Sequence, residues 1–197
     1  MNILLASSSK YRSQLLSKTG LSFTSLKPIL DEDFLKNKLL QNNKSPLEIA
    51  EILSHSKGQS ILNLHPKALV ISGDQLVDFN QEIIGKPHTQ ENAIIQLKKM
   101  NGQNHQLITA TTLFFDSKIY HNNHITKLKM KKLTDYEIES YVALDNPVDC
   151  AGSIKIESHG LCLFENIECT DFSAIEGLPL IWITNTLKGL GYELFKK

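Results

Sequence analysis

Two apolar periodicities alternate along the chain, one of strands and one of helices. Residues 2–6 are a short apolar run and predict a strand. Three serines follow, and Leu15 and Leu16 form the apolar face of a helix predicted over residues 10–18, which Thr19-Gly20 ends. Residues 22–26 read as a second strand, and Asp31-Glu32-Asp33 is placed in the connection after it. Ser45-Pro46, with proline at the first helical position, opens a helix predicted to about residue 64. Residues 68–72 are continuously apolar, as in a strand buried on both faces, and this strand is expected to end at Gly73-Asp74-Gln75. Further strands are predicted at 82–84, 106–115, 119–131, 148–156 and 161–167. Helices are predicted at 90–100, 134–144 and 178–187, and Thr134 with Glu137 forms a capping box. Strands and helices alternate, so the expected fold is α/β: a mixed sheet flanked by helices. Without repeat, linker or low-complexity segment, residues 1–197 are expected to form one domain, or one domain with two lobes.

Composition narrows the function. Acidic and basic residues balance at 21 each, so no global field draws the protein to nucleic acid or to a membrane surface. An anion site would have to be built locally. No apolar run approaches a membrane span. The three cysteines contain no CxxC pair, which favours a reducing, cytoplasmic setting. The seven histidines form no HExxH motif, which disfavours zinc. The basic stretch at residues 127–132 reads as a solvated strand face, and Trp182 as core or subunit interface. Arg12 is the single arginine among 21 basic residues. A planar fork kept at one position alone suits a phosphate or a carboxylate.

Five places then stand out. Ser7-Ser8-Ser9 and Arg12 lie at a predicted helix N-terminus, where free N–H groups favour an anion, although a plain serine cap has the same pattern. Lys57 falls in the middle of the stripe formed by Ala50, Leu53 and Ile61. A buried ammonium there needs an anion, unless its stem carries the charge out to water. Asp74, at its expected strand end, suits a metal ligand or a general base, or a turn cap. Gly73 before it would let backbone approach a ligand closely. Glu32, between two aspartates, suits a hard cation that also bridges phosphates, or is part of a solvated acidic loop. Lys86, in Gly85-Lys86-Pro87, is a cation on a rigid turn or a simple hairpin lysine.

Taken in order, Leu5-Ala6-Ser7-x-Ser9-x-x-Arg12, Asp31-Glu32, Lys57, Gly73-Asp74, Gly85-Lys86-Pro87, Ala151-Gly152 and Gly177-Leu178-Pro179 resemble the motifs of the Maf nucleotide pyrophosphatases. The resemblance spans nearly the whole chain. It implies an inosine-triphosphatase-like α/β fold with a two-lobed cleft, and hydrolysis of a nucleoside triphosphate to monophosphate and pyrophosphate with a divalent cation, Mg²⁺ or Mn²⁺. It implies Asp74 as proton acceptor, Ser7, Arg12, Lys57 and Lys86 on the phosphates, and Glu32 with Asp74 on the metal. Cys150-Ala151-Gly152-Ser153-x-Lys155-x-Glu157 resembles the subgroup acting on 7-methyl-GTP. Gln75 replaces the threonine usual in the dTTP and UTP subgroup, and Tyr11 stands where the 7-methyl-GTP subgroup carries an aromatic. An aromatic face attracts the cationic methylated base, and Glu157 would accept from the guanine N–H donors. Lys10, Gly58, Ser72-Gly73 and Cys169 depart from the usual motifs. Other readings are a dTTP or UTP pyrophosphatase and a non-enzymatic nucleotide-binding regulator of septum formation. A homodimer is a family-level expectation.

Overall fold

Strand β1 (Ile3–Ala6) is buried at all four positions because both its faces are covered. Ile3 and Leu5 pack with Leu15 and Leu16 of helix α1 (Lys10–Ser17) and with Ile183 and Leu187 of helix α6 (Leu180–Gly189). Leu4 and Ala6 pack on the other side with Ile61 of helix α3 (Pro46–Leu62), Val70 and Phe114. Such two-sided burial is what a continuous apolar run encodes. The computed structural model describes residues 2–195.

Among these residues the remaining elements are β2 (Thr24–Leu26), α2 (Glu32–Gln41), β3 (Leu69–Phe79), β4 (Glu82–Ile84), α4 (Gln90–Met100), β5 (Asn104–Phe115), β6 (Lys118–Met130), α5 (Asp135–Asp145) and β7 (Phe164–Glu168). The strands form a mixed sheet of order β2-β1-β3-β5-β6-β7, with β4 also on β3. Strand β1 pairs in parallel with β2 and β3, whereas β3–β4 and β6–β7 are antiparallel. The chain divides into two compact units. The first takes the chain through Asp74, then Thr109–His124, then the chain from Asp171 onward; the second takes Gln75–Ile108 and Ile125–Thr170.

In the first unit, helix α1 is capped by Ser9, whose Oγ accepts the Arg12 N–H at 3.3 Å. Helix α3 begins on a capping box, with the Ser45 Oγ accepting from the Glu48 N–H and the Glu48 carboxylate accepting from the Ser45 N–H. Helix α3 approaches the sheet at Gly58. A Cβ there would lie 2.3 Å from Phe114 Cε2 and 2.6 Å from Ser72 Oγ.

Two expectations change here. Asp31-Glu32-Asp33 is not a loop: Asp31 caps α2, its Oδ1 accepting the Phe34 N–H at 2.9 Å, and Glu32 and Asp33 fill the first turn. The apolar pattern of this helix is faint because Leu39 alone on it is buried. Strand β3 also does not stop at Gly73. Its parallel pairing with β1 ends at Ala6–Ser72, but the strand runs on and pairs with β4 from Val77. Asp74 is therefore within an 11-residue strand, two residues beyond its parallel part.

In the second unit, α5 starts at Thr134 and Glu137 with the expected capping box. The strand expected over 148–156 is absent. Gly152 and Ser153 have φ of 66° and 61°, outside the β region, and lie in a 3₁₀ turn over Ala151–Ser153. A second 3₁₀ turn, His159–Leu163, delays β7 to Phe164. Lys127, Lys131 and Lys132 are exposed, as expected of a solvated strand face, and three lysines of the stretch also have polar partners. Lys127 pairs with Glu168, Lys129 donates to the Gly102 carbonyl, and Lys131 donates to that of Cys162. Trp182 packs against the core of the first unit. No helix among the described residues is long and apolar enough to cross a membrane.

The close approach at Gly58 carries a prediction. Gly58→Ala inserts a methyl where aromatic carbon and hydroxyl already stand, and overpacking of this kind costs about 1–3 kcal/mol. The urea midpoint should fall accordingly, and an unchanged midpoint would mean that α3 can move off the sheet freely.

Candidate functional site

The first unit gathers three of the candidate residues around a fourth, Lys57. Lys57 lies on the apolar face of α3 and is 5% exposed. Its Nζ donates to Asp74 Oδ1 at 2.6 Å and lies 2.7 Å from Glu32 Oε2. The buried ammonium thus meets two carboxylates. Asp74 is 6% exposed, whereas the Glu32 side chain, at the open end of the cluster, is 48% exposed. Asp74 Oδ2 is buried and has no hydrogen-bond partner among the described residues. A buried carboxylate oxygen left without a donor is costly, and a ligand that satisfies it is favoured for that reason.

Arg12 completes the cluster. Its Nε donates to the Gly177 carbonyl at 3.1 Å. Burial draws its pKa below the ordinary value, while Asp74 and Glu32 oppose that shift. The guanidinium stays charged at neutral pH all the same. Fixing Nε sets the plane of the fork and leaves the two terminal nitrogens for an acceptor. Two cations and two carboxylates leave the cluster neutral. Ser7 is buried at the end of β1, where its Oγ accepts the Ser9 N–H at 3.1 Å. Tyr11 is half-buried in the first turn of α1.

The other candidates belong to the second unit. Gln75 follows Asp74 on β3, and alternation along a strand turns it to the opposite face. Lys86 is exposed, with no side-chain partner among the described residues. Its turn is held firmly: the Gly85 carbonyl accepts from the Gly152 N–H and from Gln96 Nε2, each at 3.2 Å, and Gln96 Oε1 accepts from Ser153 Oγ at 2.6 Å. The Gly85-Lys86-Pro87 and Ala151-Gly152 motifs are therefore neighbours. Glu157 is exposed on the turn after them. That segment is tied down by Asp145, which accepts from the His159 N–H at 2.9 Å and from Ser158 Oγ at 3.0 Å, and lies 2.6 Å from His159 Nδ1. Tyr141 adds a further tie, accepting the Lys155 N–H and donating to the Ser153 carbonyl.

Several positioning residues escape a reading of the sequence. Gly177, at φ +121°, lets Arg12 lie against it; a Cβ there would be 3.2 Å from Arg12 Cγ. Gly73 lies close to the Leu178 side chain, which would be 3.1 Å from a Cβ at that position. Ser72 Oγ donates to the Ser54 carbonyl of α3 at 2.8 Å and so staples helix to strand beside the Lys57–Asp74 pair. Asp171 accepts the Ile181 N–H at 2.9 Å and holds the start of α6, next to Gly177. Their one signal in sequence is the Gly177-Leu178-Pro179 motif, which carries no chemistry of its own.

A divalent cation fits this donor set in part. Asp74 and Glu32 offer hard carboxylate oxygens on one point, and Asp74 Oδ2 awaits a partner. Among the described residues no cluster of three or more His, Cys, Asp or Glu is placed to hold a metal ion. One or two carboxylates can hold Mg²⁺ where water and substrate phosphates complete its coordination.

Comparison with known proteins shows the family. The profile of the family described as "Maf-like protein" matches residues 2–190. A protein of Bdellovibrio bacteriovorus named 7-methyl-GTP pyrophosphatase is 47% identical over 186 residues, covering 94% of this chain and 95% of its own. A protein of the same name from Hydrogenovibrio crunogenus is 34% identical, covering 98% of this chain and 94% of its own. A Ruegeria pomeroyi relative, also 34% identical and covering 94% of each chain, is named nucleoside triphosphate pyrophosphatase. Among solved structures, the Staphylococcus aureus Ham1 protein has the same fold, with a TM-score of 0.54 at 12% identity, over 96% of this chain and 100% of its own.

The Asp145 knot should show itself in acid. Burial pushes the Asp145 carboxyl up, but hydrogen bonds from His159 and Ser158 outweigh it and hold the pKa below the ordinary 3.8. A carboxylate lowered on folding stabilises the fold above its unfolded pKa and loses that contribution as pH falls through the folded one. Wild type should therefore exceed Asp145→Asn in urea midpoint above about pH 4, and the gap should close below it. A gap unchanged at pH 3 would remove Asp145 from this role.

Proposed function

Because the chain belongs to the Maf family, we propose that it hydrolyses nucleoside triphosphates to monophosphate and pyrophosphate, with 7-methyl-GTP as preferred substrate. The observation that carries this reading is the buried Lys57 ammonium held between Asp74 and Glu32 beside the fork of Arg12. Cations of this kind suit a polyphosphate, and the unpartnered Asp74 Oδ2 suits a water that must lose a proton.

In this reading Asp74 Oδ2 takes a proton from water, and the water oxygen bonds to the α-phosphorus. The bond from that phosphorus to the bridging oxygen breaks, and its electron pair leaves with pyrophosphate. Arg12 and Lys57 bind the phosphate oxygens, aided by Ser7, and the Gly85-Lys86-Pro87 motif is the basis for assigning a phosphate-binding role to Lys86. Fixed charges aimed at a developing anion are worth most where water is excluded. A divalent cation, held by Asp74 and Glu32 together with the phosphates, would neutralise charge on the leaving group. For the base we assign Tyr11 to the cationic methylguanine face and Glu157 to its N–H edge, with Gln75 as a further base-selecting position. We propose a cytoplasmic setting, which suits a chain whose three cysteines contain no CxxC pair.

Pyrophosphate release across canonical and methylated nucleotides, with and without Mg²⁺, tests this. Release from 7-methyl-GTP should exceed release from dTTP and UTP. No release from any nucleotide would leave a binding protein or regulator, and preference for dTTP would overturn the substrate. Asp74→Asn should still bind 7-methyl-GTP but turn over at least about a hundredfold more slowly.

A further inference from the structure

We infer that Lys57 is the counter-ion that occupies the divalent cation's seat in the nucleotide-free protein, and that metal entry requires its ammonium to leave the two carboxylates. The inference rests on the metal-assisted reading above and concerns a residue that would otherwise serve the phosphates alone. Asp74 Oδ1 and Glu32 Oε2 both engage the single Nζ, at 2.6 Å and 2.7 Å. These two carboxylates are the donors available to a cation in this cluster, and the ammonium already uses one oxygen of each. A dication placed on them would stand beside a buried like charge, where little water screens the repulsion.

Lysine carries its charge on a flexible chain that can exchange one anion for another. The stem of Lys57 is anchored on the apolar face of α3. Glu32 is half-exposed in the first turn of α2 and can follow a new partner. Asp74 Oδ2 is the oxygen the ammonium leaves unused, so the carboxylate already presents one atom to an incoming ligand. Arriving phosphates offer the ammonium a second anion. Phosphate binding and metal binding then help one another through Lys57, a coupling that is reciprocal. A purely structural ion pair makes the opposite demand: removing its lysine loosens both carboxylates and weakens any metal site built from them.

Calorimetric titration of the nucleotide-free protein with MgCl₂ and with MnCl₂ separates the two. Wild type should bind either ion weakly. Lys57→Met, which keeps the stem and deletes the charge, should bind at least about tenfold more tightly, about 1.4 kcal/mol, and Lys57→Arg should resemble wild type. Equal or weaker binding by a folded Lys57→Met variant overturns the inference. A second measurement needs no variant. In the wild-type protein the ¹⁵Nζ resonance of Lys57 should shift on saturation with Mg²⁺, and an unchanged resonance at saturation overturns the inference equally. Because neither readout involves turnover, normal pyrophosphate release with untightened metal binding overturns this inference alone. Tighter metal binding without release from any nucleotide overturns the proposed reaction and supports this inference.

Discussion

A lysine ammonium in the middle of an apolar helix face needs an anion to meet it there, and much of the first unit is arranged around that meeting. Burying an isolated ammonium is too costly for a fold of ordinary stability. Lys57 therefore requires Asp74, and Asp74 requires β3 to run past its parallel partner. Helix and strand come close enough because residue 58 has no side chain and because the Ser72 hydroxyl reaches the backbone of α3. Glu32 is brought by α2, whose first turn also welcomes negative charge. The electrostatic requirement and the packing requirement are one constraint seen from two sides.

Arg12 is placed by a second such chain. Its fork is oriented by the Gly177 carbonyl, and Gly177 tolerates the contact because it lacks a Cβ. Asp171 fixes the start of α6 and with it the neighbourhood of Gly177. In the second unit the same economy holds. Gln96 joins the Lys86 turn to Ser153, and Asp145 with Tyr141 moulds the segment carrying Glu157. A handful of buried side chains thus positions exposed ones, which is how loops acquire a defined chemistry.

Legibility in the sequence followed the strength of the local signal. Capping boxes at Ser45–Glu48 and Thr134–Glu137 are complete within four residues, and both helices start where they predict. Residues 31–33 read as a connection in the sequence, although Asp31 followed by Glu32 and Asp33 is also the acidic start of a helix. The segment at 148–156 has the composition of a strand, but Gly152 and Ser153 adopt positive φ under ties from Gln96, Tyr141 and Gly85 that lie far off in the chain. Asp74 was taken for a strand end because Gly73 resembles a stop. The structure continues the strand there, using the glycine to admit Leu178.

The sequence by itself determined which groups are available and which of them cannot stand alone. The lone Arg12, Lys57 on its apolar stripe, the acidic pair at Asp31-Glu32 and the carboxylate of Asp74 are all visible there, because periodicity and charge are local properties. The tertiary structure alone decided that one ammonium serves both Glu32 and Asp74, and that an oxygen of Asp74 is left unsatisfied. It also decided that two glycines far apart in the chain exist to let Leu178 and Arg12 in. Those facts depend on distances between residues 17 or more positions apart, and no local pattern encodes such distances until the sheet and its helices have closed.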